Sequence, residues 1–223
     1  MNIFDIVGPV MVGPSSSHTA GAARIGYTAR KLMGEPIARA EILLYGSFLA
    51  TGKGHGTDCA IVAGLLGMTP DDERIAMSME LAEEKGMEVV FGEAELSEAH
   101  SNSVLLKLIG VSGKRLEVLG ESVGGSVVNI RAINGMDANF SGELPTLLVY
   151  YADVPGRVSE ITSMLAQLGV NIARMHVTRA DRGGTAAAVI ECDQEVPEAE
   201  ERIAAIMTGM ERVMYYSPKE VGA

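Results

Sequence analysis

Ser15-Ser16-Ser17-His18-Thr19 places hydroxyls and an imidazole side by side, directly after Gly13-Pro14 and before a stretch with helical spacing. Hydroxyls gathered at the free N–H groups of a helix start suit a carboxylate or a phosphate. The same residues also make an over-determined N-cap, one serine capping and the others facing water. His18 shares a helical face with Ala22 and Ile25. It therefore reads either as a hydrogen-bonded histidine at the edge of a core or as a general base. The positive end of a helix keeps an imidazole neutral, and a neutral imidazole can accept a proton.

Thr51-Gly52-Lys53-Gly54-His55-Gly56-Thr57-Asp58 is the second such segment. Glycines at alternate positions let backbone approach a ligand closely, and they put Lys53, His55 and Asp58 on what reads as a tight loop. It is not a P-loop: the spacing from Gly46 to Gly52-Lys53 is one residue too long, and Gly54 stands where a hydroxyl must bind magnesium. A flexible polar turn and an active-site loop are both consistent with it. The third segment, Glu121-Ser122-Val123-Gly124-Gly125-Ser126, reads as a hairpin turn whose Gly124 and Gly125 could cradle a small carboxylate with backbone N–H groups.

The elements that must position these residues are legible from periodicity. Ala22, Ile25, Ala29 and Leu32 predict a helix over 19–33, ending before Gly34-Glu35-Pro36. A strand over 39–45 follows, then a short apolar helix at CAIVAGLLG with Thr57 or Asp58 near its N-cap. Thr69-Pro70-Asp71-Asp72 reads as a helix start, with Ile75, Met79 and Ala82 as the core stripe. Strands are expected over 87–92, 103–109, 115–121 and 126–133. Helices first and antiparallel sheet later make an α+β fold.

Asn134-Gly135, Ser141-Gly142 and Pro145 mark a boundary, so the chain reads as domains 1–142 and 146–223. The second has strands over 146–151, 170–178, 185–191 and 212–216. Its first helix covers 155–168, with Val158, Ile161, Leu165 and Leu168 on one face. A second opens at Pro197, with Ile203, Ile206 and Met210 inward. This is βαββαβ, the ferredoxin-like split arrangement.

Composition narrows the classes further. The formal net charge is -11, and the basic clusters are pairs such as Arg30-Lys31 and Lys114-Arg115, which argues against nucleic acid. No apolar run approaches the ~18 residues of a membrane span, and the opening MNIFDIVGP has an acid where a signal peptide carries basic residues. A cytoplasmic protein is expected. Cys59 and Cys192 are the only cysteines, too few for a disulfide framework or for a thiolate metal cluster on this chain alone, so no metal site is expected here. His100 and His176 lack motif context and read as surface or strand residues, and the 13 methionines read as core filling.

The opening MNIFDIVGPVMVGPSSSHTAGAARIG, the LYGSFLATGKGHGTD segment and the Val123-Gly124-Gly125 turn together resemble the beta chain of bacterial two-chain, iron-sulfur-dependent L-serine dehydratases. The segment TLLVYYADVPGRVSEITSMLAQLGVNI resembles an ACT domain, with Asp153, Pro155, Gly156, Asn171 and Ile172 matching its signature. The resemblance implies an N-terminal domain like the allosteric substrate-binding domain of some phosphoglycerate dehydrogenases. It implies a separate alpha chain that holds a [4Fe-4S] cluster, and deamination of L-serine to pyruvate and ammonia without pyridoxal phosphate, a route from serine to gluconeogenesis. His18 is then nominated for proton transfer, with Lys53 or His55 competing for that role and Asp58 completing the pocket. Ser16, Ser17, Thr19, Gly124 and Gly125 would bind substrate. The ACT-like domain would self-associate, and Asp153, Gly156 and Asn171 would hold an amino-acid effector. A different reading is a non-catalytic, amino-acid-sensing regulatory subunit.

Overall fold

The computed structural model describes residues 11–179, 181–207 and 209–219; the opening MNIFDIVGPV and Ala180, between the expected strands 170–178 and 185–191, lie outside them. The fold is α+β in two compact units, Met1–Gly135 and Met136–Ala223.

In the first unit, a wide π-helical turn, Ser16–Gly21, runs straight into α1 (Ala22–Met33). Gly34 then adopts the left-handed conformation and returns its N–H to the Arg30 carbonyl, which ends the helix. β1 (Ile37–Gly46) leads into α2 (Ser47–His55), Gly56 and α3 (Thr57–Leu65). A 3₁₀ turn at Glu73–Met77 and α4 (Ser78–Glu84) carry the chain to β2 (Glu88–Glu93). β3 (Asn102–Gly110), β4 (Arg115–Gly124) and β5 (Val127–Ile133) follow, and the strands of this unit stand in the order β2-β1-β3-β4-β5. β1 and β2 are parallel, as a helical crossover allows, and the other neighbours are antiparallel.

One sheet face is apolar and buried: Ala40, Ile42 and Leu44 of β1, Val104, Leu106 and Leu108 of β3, and Leu116 and Val118 of β4. A Cβ on Gly120 of β4 would strike the Ile25 side chain, so α1 lies directly on that face. α1 and α3 touch through glycine. A Cβ on Gly64 of α3 would strike the Ala23 carbonyl of α1, and one on Gly26 would strike the Ile61 carbonyl. Gly64→Ala is therefore expected to cost about 1–3 kcal/mol of stability through overpacking. Urea unfolding of the full chain measures this, and an unchanged midpoint would contradict the close approach.

Two local expectations change. The Thr51–Asp58 segment is not a loop: its first half is the last turn of α2, and Gly56 (φ 67°) alone breaks the chain before α3. Residues 69–72 form a turn, not a helix start. Asp72 is the cap, accepting from the Arg74 N–H at 2.9 Å, and the Arg74 guanidinium holds its carboxyl down at about 2. Ile75 and Ala82 are buried as expected, whereas Met79 is exposed.

The second unit opens with a strand that periodicity had not indicated, β6 (Met136–Phe140), whose Ala138 and Phe140 are buried. β7 (Thr146–Ala152), α5 (Arg157–Gln167), β8 (Ile172–Arg179), β9 (Thr185–Cys192), α6 (Ala199–Ile206) and β10 (Met210–Tyr216) follow. The sheet order is β10-β7-β9-β8, all antiparallel, which is the split βαβ arrangement with β8 at an edge. Leu147, Val149, Ile161, Leu165, Ile190 and Ile203 are fully buried in its core. Val158 and Ile206, expected inward, are exposed, and Met210 belongs to β10 rather than to the second helix.

Candidate active site

The Ser15–Thr19 hydroxyls divide into distinct tasks. Ser15, in extended conformation, is the cap: its Oγ accepts from the His18 N–H at 3.1 Å. Ser17 Oγ lies 3.2 Å from His18 Nδ1. Ser16 presents its carbonyl to Ser126 Oγ at 3.3 Å. Thr19, expected to bind substrate, is instead buried, and its hydroxyl donates to the His55 carbonyl at 3.1 Å. It ties the end of α2 to the His18 turn.

The other ring nitrogen of His18 meets two residues that sequence reasoning missed. Ser47 Oγ and Thr51 Oγ1 each lie 3.1 Å from Nε2. A signal was available: Ser47, Thr51 and His55 stand four apart, on one helical stripe. Thr51 has one hydroxyl proton, and it donates to the Ser47 carbonyl at 2.9 Å. Toward His18 it is therefore an acceptor, which assigns the ring proton to Nε2 and leaves Nδ1 as the basic nitrogen.

Two rings close around the imidazole. Phe48 stands edge-on at 5.4 Å between centroids, and His55 lies at 4.9 Å. Burial and then the like charge of His55 lower the His18 pKa below its usual 6.5, opposed by a hydrogen bond that the ring donates to the Ser47 backbone. A hydroxyl-bracketed, neutral imidazole results.

Lys53 and Asp58 sit differently. They line a cleft of about 430 Å³ together with Thr51, Phe48, Leu49 and Phe91, and neither histidine lines it. Lys53 is exposed, while Asp58 is half-buried and accepts the neighbouring Cys59 N–H at 2.9 Å. Thr51 joins the two regions, bonding His18 while lining the cleft. Gly124 and Gly125, at φ 102° and 59°, form the tight β4–β5 turn. That turn reaches the Ser16 carbonyl through the buried Ser126, whose own carbonyl accepts from Arg24 at 2.8 Å.

In the second unit, Asp153 and Gly156 line a cleft of about 480 Å³ with Arg157, Val177, Arg179 and Arg182. Asp153 accepts from the Gly183 N–H at 3.2 Å and from Arg179 at 3.1 Å, which keeps its carboxyl below the usual range. Asn171 is not part of this cleft. It precedes β8, whereas Arg179 ends it, and its Nδ2 donates to Asp193 at 2.6 Å.

Among the described residues no group of three or more His, Cys, Asp or Glu side chains could hold a metal ion, and no helix is long and apolar enough to cross a membrane. Cys59 and Cys192 lie in different units. Burial, with Asp58 nearby, raises the first thiol, and burial pushes the second up to about 11. These two thiols do not fit a [4Fe-4S] cluster, which takes about three or four thiolates.

The family model described as "Serine dehydratase beta chain" matches residues 2–132. The chain belongs to the serine dehydratase beta chain family. The ACT domain model matches residues 146–206, in the unit whose sheet has the split βαβ order. The chain is 42% identical over 197 residues to the "Probable L-serine dehydratase, beta chain" of Bacillus subtilis, covering 88% of this chain and 89% of that one. It is 37% identical over 210 residues to the "L-serine dehydratase, beta chain" of Peptoniphilus asaccharolyticus, covering 94% and 93%. It is also similar to "L-serine dehydratase 2" of Escherichia coli, 43% identical over 77 residues, which are 32% of this chain and 16% of that protein. In this beta chain family member the Ser15–Thr19 turn and α2 both fall within the matched span.

Proposed function

We propose that this chain is the base-bearing subunit of a cytoplasmic L-serine ammonia-lyase, active with a separate alpha chain that holds a [4Fe-4S] cluster. The observation that carries the reading is His18, a neutral imidazole with hydroxyls at both ring nitrogens. The serine α-hydrogen is weakly acidic and hydroxide is a poor leaving group. The partner's cluster is the place where the leaving hydroxyl would be polarised. This chain's residues handle the proton and the carboxylate.

His18 Nδ1 takes the α-proton, with the Nε2 proton held by Thr51 and Ser47 so that the ring stays oriented. Loss of hydroxide leaves aminoacrylate, which tautomerises to an imine and is hydrolysed to pyruvate and ammonia. Ser16, Ser17 and the Gly124–Gly125 backbone receive the carboxylate. Thr19 acts at one remove, through the His55 carbonyl. Lys53 and Asp58 line the neighbouring cleft and His55 stands against His18, on the side where the alpha chain would dock, and Lys53 or His55 is the competing acid or base.

The ACT unit takes a second role, self-association and effector binding. β8 is an edge strand in its sheet and offers unpaired backbone to a second copy. Antiparallel pairing of two β8 strands would bring Asn171 of one copy to the Arg179 end of the other. The separated residues Asp153, Gly156 and Asn171 would then meet across that interface, with arginines for an amino-acid carboxylate.

Mixing the purified chain with its cluster-bearing partner under anaerobic conditions tests the catalytic reading. Serine-dependent pyruvate that neither chain makes alone is expected. Full turnover by the partner alone would make this chain a regulatory subunit. Calorimetric titration of the full chain with L-serine tests the effector reading: heat that disappears in Arg179→Ala is expected, and no heat leaves the ACT unit only a dimerising role.

A further inference from the structure

Glu121 is a buried carboxylate that the reading above leaves without a task, only 7% exposed on β4. A buried charge needs partners, and Glu121 has three. Its Oε1 accepts from Arg131 at 3.1 Å and from the His100 backbone N–H at 3.3 Å, and its Oε2 accepts from Asn129 at 3.4 Å. Arg131 in turn donates to the Glu98 carbonyl at 2.6 Å. Carboxylate and guanidinium together hold the segment 98–100 between β2 and β3.

The next residue on that segment meets α2. The first N–H groups of a helix have no partner within it. Here the Ser101 carbonyl takes them, accepting from Ser47 N–H at 2.6 Å and more loosely from Phe48 N–H at 3.4 Å. The approach requires Gly46: it has φ 57°, and a Cβ there would lie 2.5 Å from the Ser101 oxygen. Ser47 and Phe48 are two of the residues whose side chains touch the His18 ring, Ser47 at Nε2 and Phe48 in an edge-on contact.

We infer that Glu121 is a positioning residue for His18, acting through the Glu98–Ser101 segment and the start of α2. The neighbouring Ser122 reinforces this placement of β4. Side chains alternate along a strand, and a Cβ on Gly21 of the His18 turn would strike Ser122 Oγ. One strand thus supports both elements that hold the imidazole, the turn beneath it and the helix beside it. The partners of Glu121 are His100, Asn129 and Arg131 and not the imidazole, so its removal should misplace Ser47 and Phe48 without removing the proposed base. The inference rests on His18 as the base, and its test separates the two.

Glu121→Ala and Glu121→Gln are compared in the anaerobic complex and in the full chain alone. In the complex, Glu121→Ala should lower kcat roughly 10- to 100-fold, with KM within about twofold, because a small misplacement of a catalytic group is costly. Glu121→Gln, which keeps an acceptor for His100 and Arg131, should recover most of that loss. In the isolated chain, the imidazole NMR signals of His18 should move in Glu121→Ala and return in Glu121→Gln. If Glu121→Ala does not fold, Arg131→Ala cuts the same link from a half-exposed side chain and should give the same pair of effects. Unmoved His18 signals overturn the inference whatever kcat does, and so does an unchanged kcat in a folded variant. If the unaltered complex makes no pyruvate, the base assignment fails, while the NMR signals still decide whether Glu121 positions the ring.

Discussion

His18→Ala is expected to reduce turnover of the two-chain complex by roughly 10²- to 10⁴-fold, the range for losing a general base. The variant should fold, because His18 is only half-buried and the cap of its turn is the Ser15 side chain on a backbone N–H, which alanine retains. The visible absorption of the partner's cluster should not change. Lost activity with an intact cluster places the defect in proton transfer rather than in assembly. Ser47→Ala should cost far less, since Thr51 still holds Nε2 at 3.1 Å. Full activity in His18→Ala would end the assignment and turn attention to Lys53 and His55.

The second large effect is on pH dependence. His18 must be neutral to act, and its pKa lies below 6.5, first because burial strips water from the charged ring and next because His55 adds a like charge. The acid limb of kcat/KM should therefore have its midpoint below 6.5, with about a tenfold fall per pH unit beneath it. His55→Ala removes the like charge but not the burial, so it should move that limb upward without carrying it past 6.5. A midpoint above 6.5 in the unaltered complex would contradict a proton acceptor in this environment.

The same shift acts on folding, and its sign follows from proton counting. The unfolded chain's histidine takes its proton near 6.5, the folded one only at lower pH. Between those two values the unfolded state binds more protons, so stability falls as pH drops through that window and is level above it. Urea midpoints taken across the window in unaltered protein and in His18→Ala should differ in slope in that direction.

Much of the scaffold was readable without coordinates because its signals are local. The stripe Ala22, Ile25, Ala29, Leu32 is buried on α1 as its spacing requires. The βαββαβ order of the second unit follows from short apolar strand runs and helical stripes separated by turn residues. Local rules failed where tertiary contacts overrode them. Three glycines in five residues, Gly52, Gly54 and Gly56, argue for a loop, yet the first two lie within α2. Gly52 is buried there, and a Cβ on it would come within 3.3 Å of Thr57, so the glycine serves close packing between successive helices. β6 escaped notice because Asn134-Gly135 and Ser141-Gly142, its flanking turn residues, made the whole stretch look like linker.

The site divides along the same line. Sequence alone determined which chemical groups are present: an imidazole among hydroxyls at a helix entry, an ammonium and a carboxylate near glycines, and too few thiols to hold a cluster. It also determined that Ser15 and Ser17 lie within reach of His18, because neighbours along a chain cannot be far apart. Only the tertiary structure decided which nitrogen of His18 is basic, since Ser47 and Thr51 stand 29 and 33 residues away. Only it showed Thr19 to be a buried tie, and Asn171 to lie at the opposite end of β8 from Arg179, the partner of Asp153. Helical and strand periodicity is written in near neighbours, whereas the orientation and protonation of a side chain depend on groups that meet only when the sheet and its helices have packed.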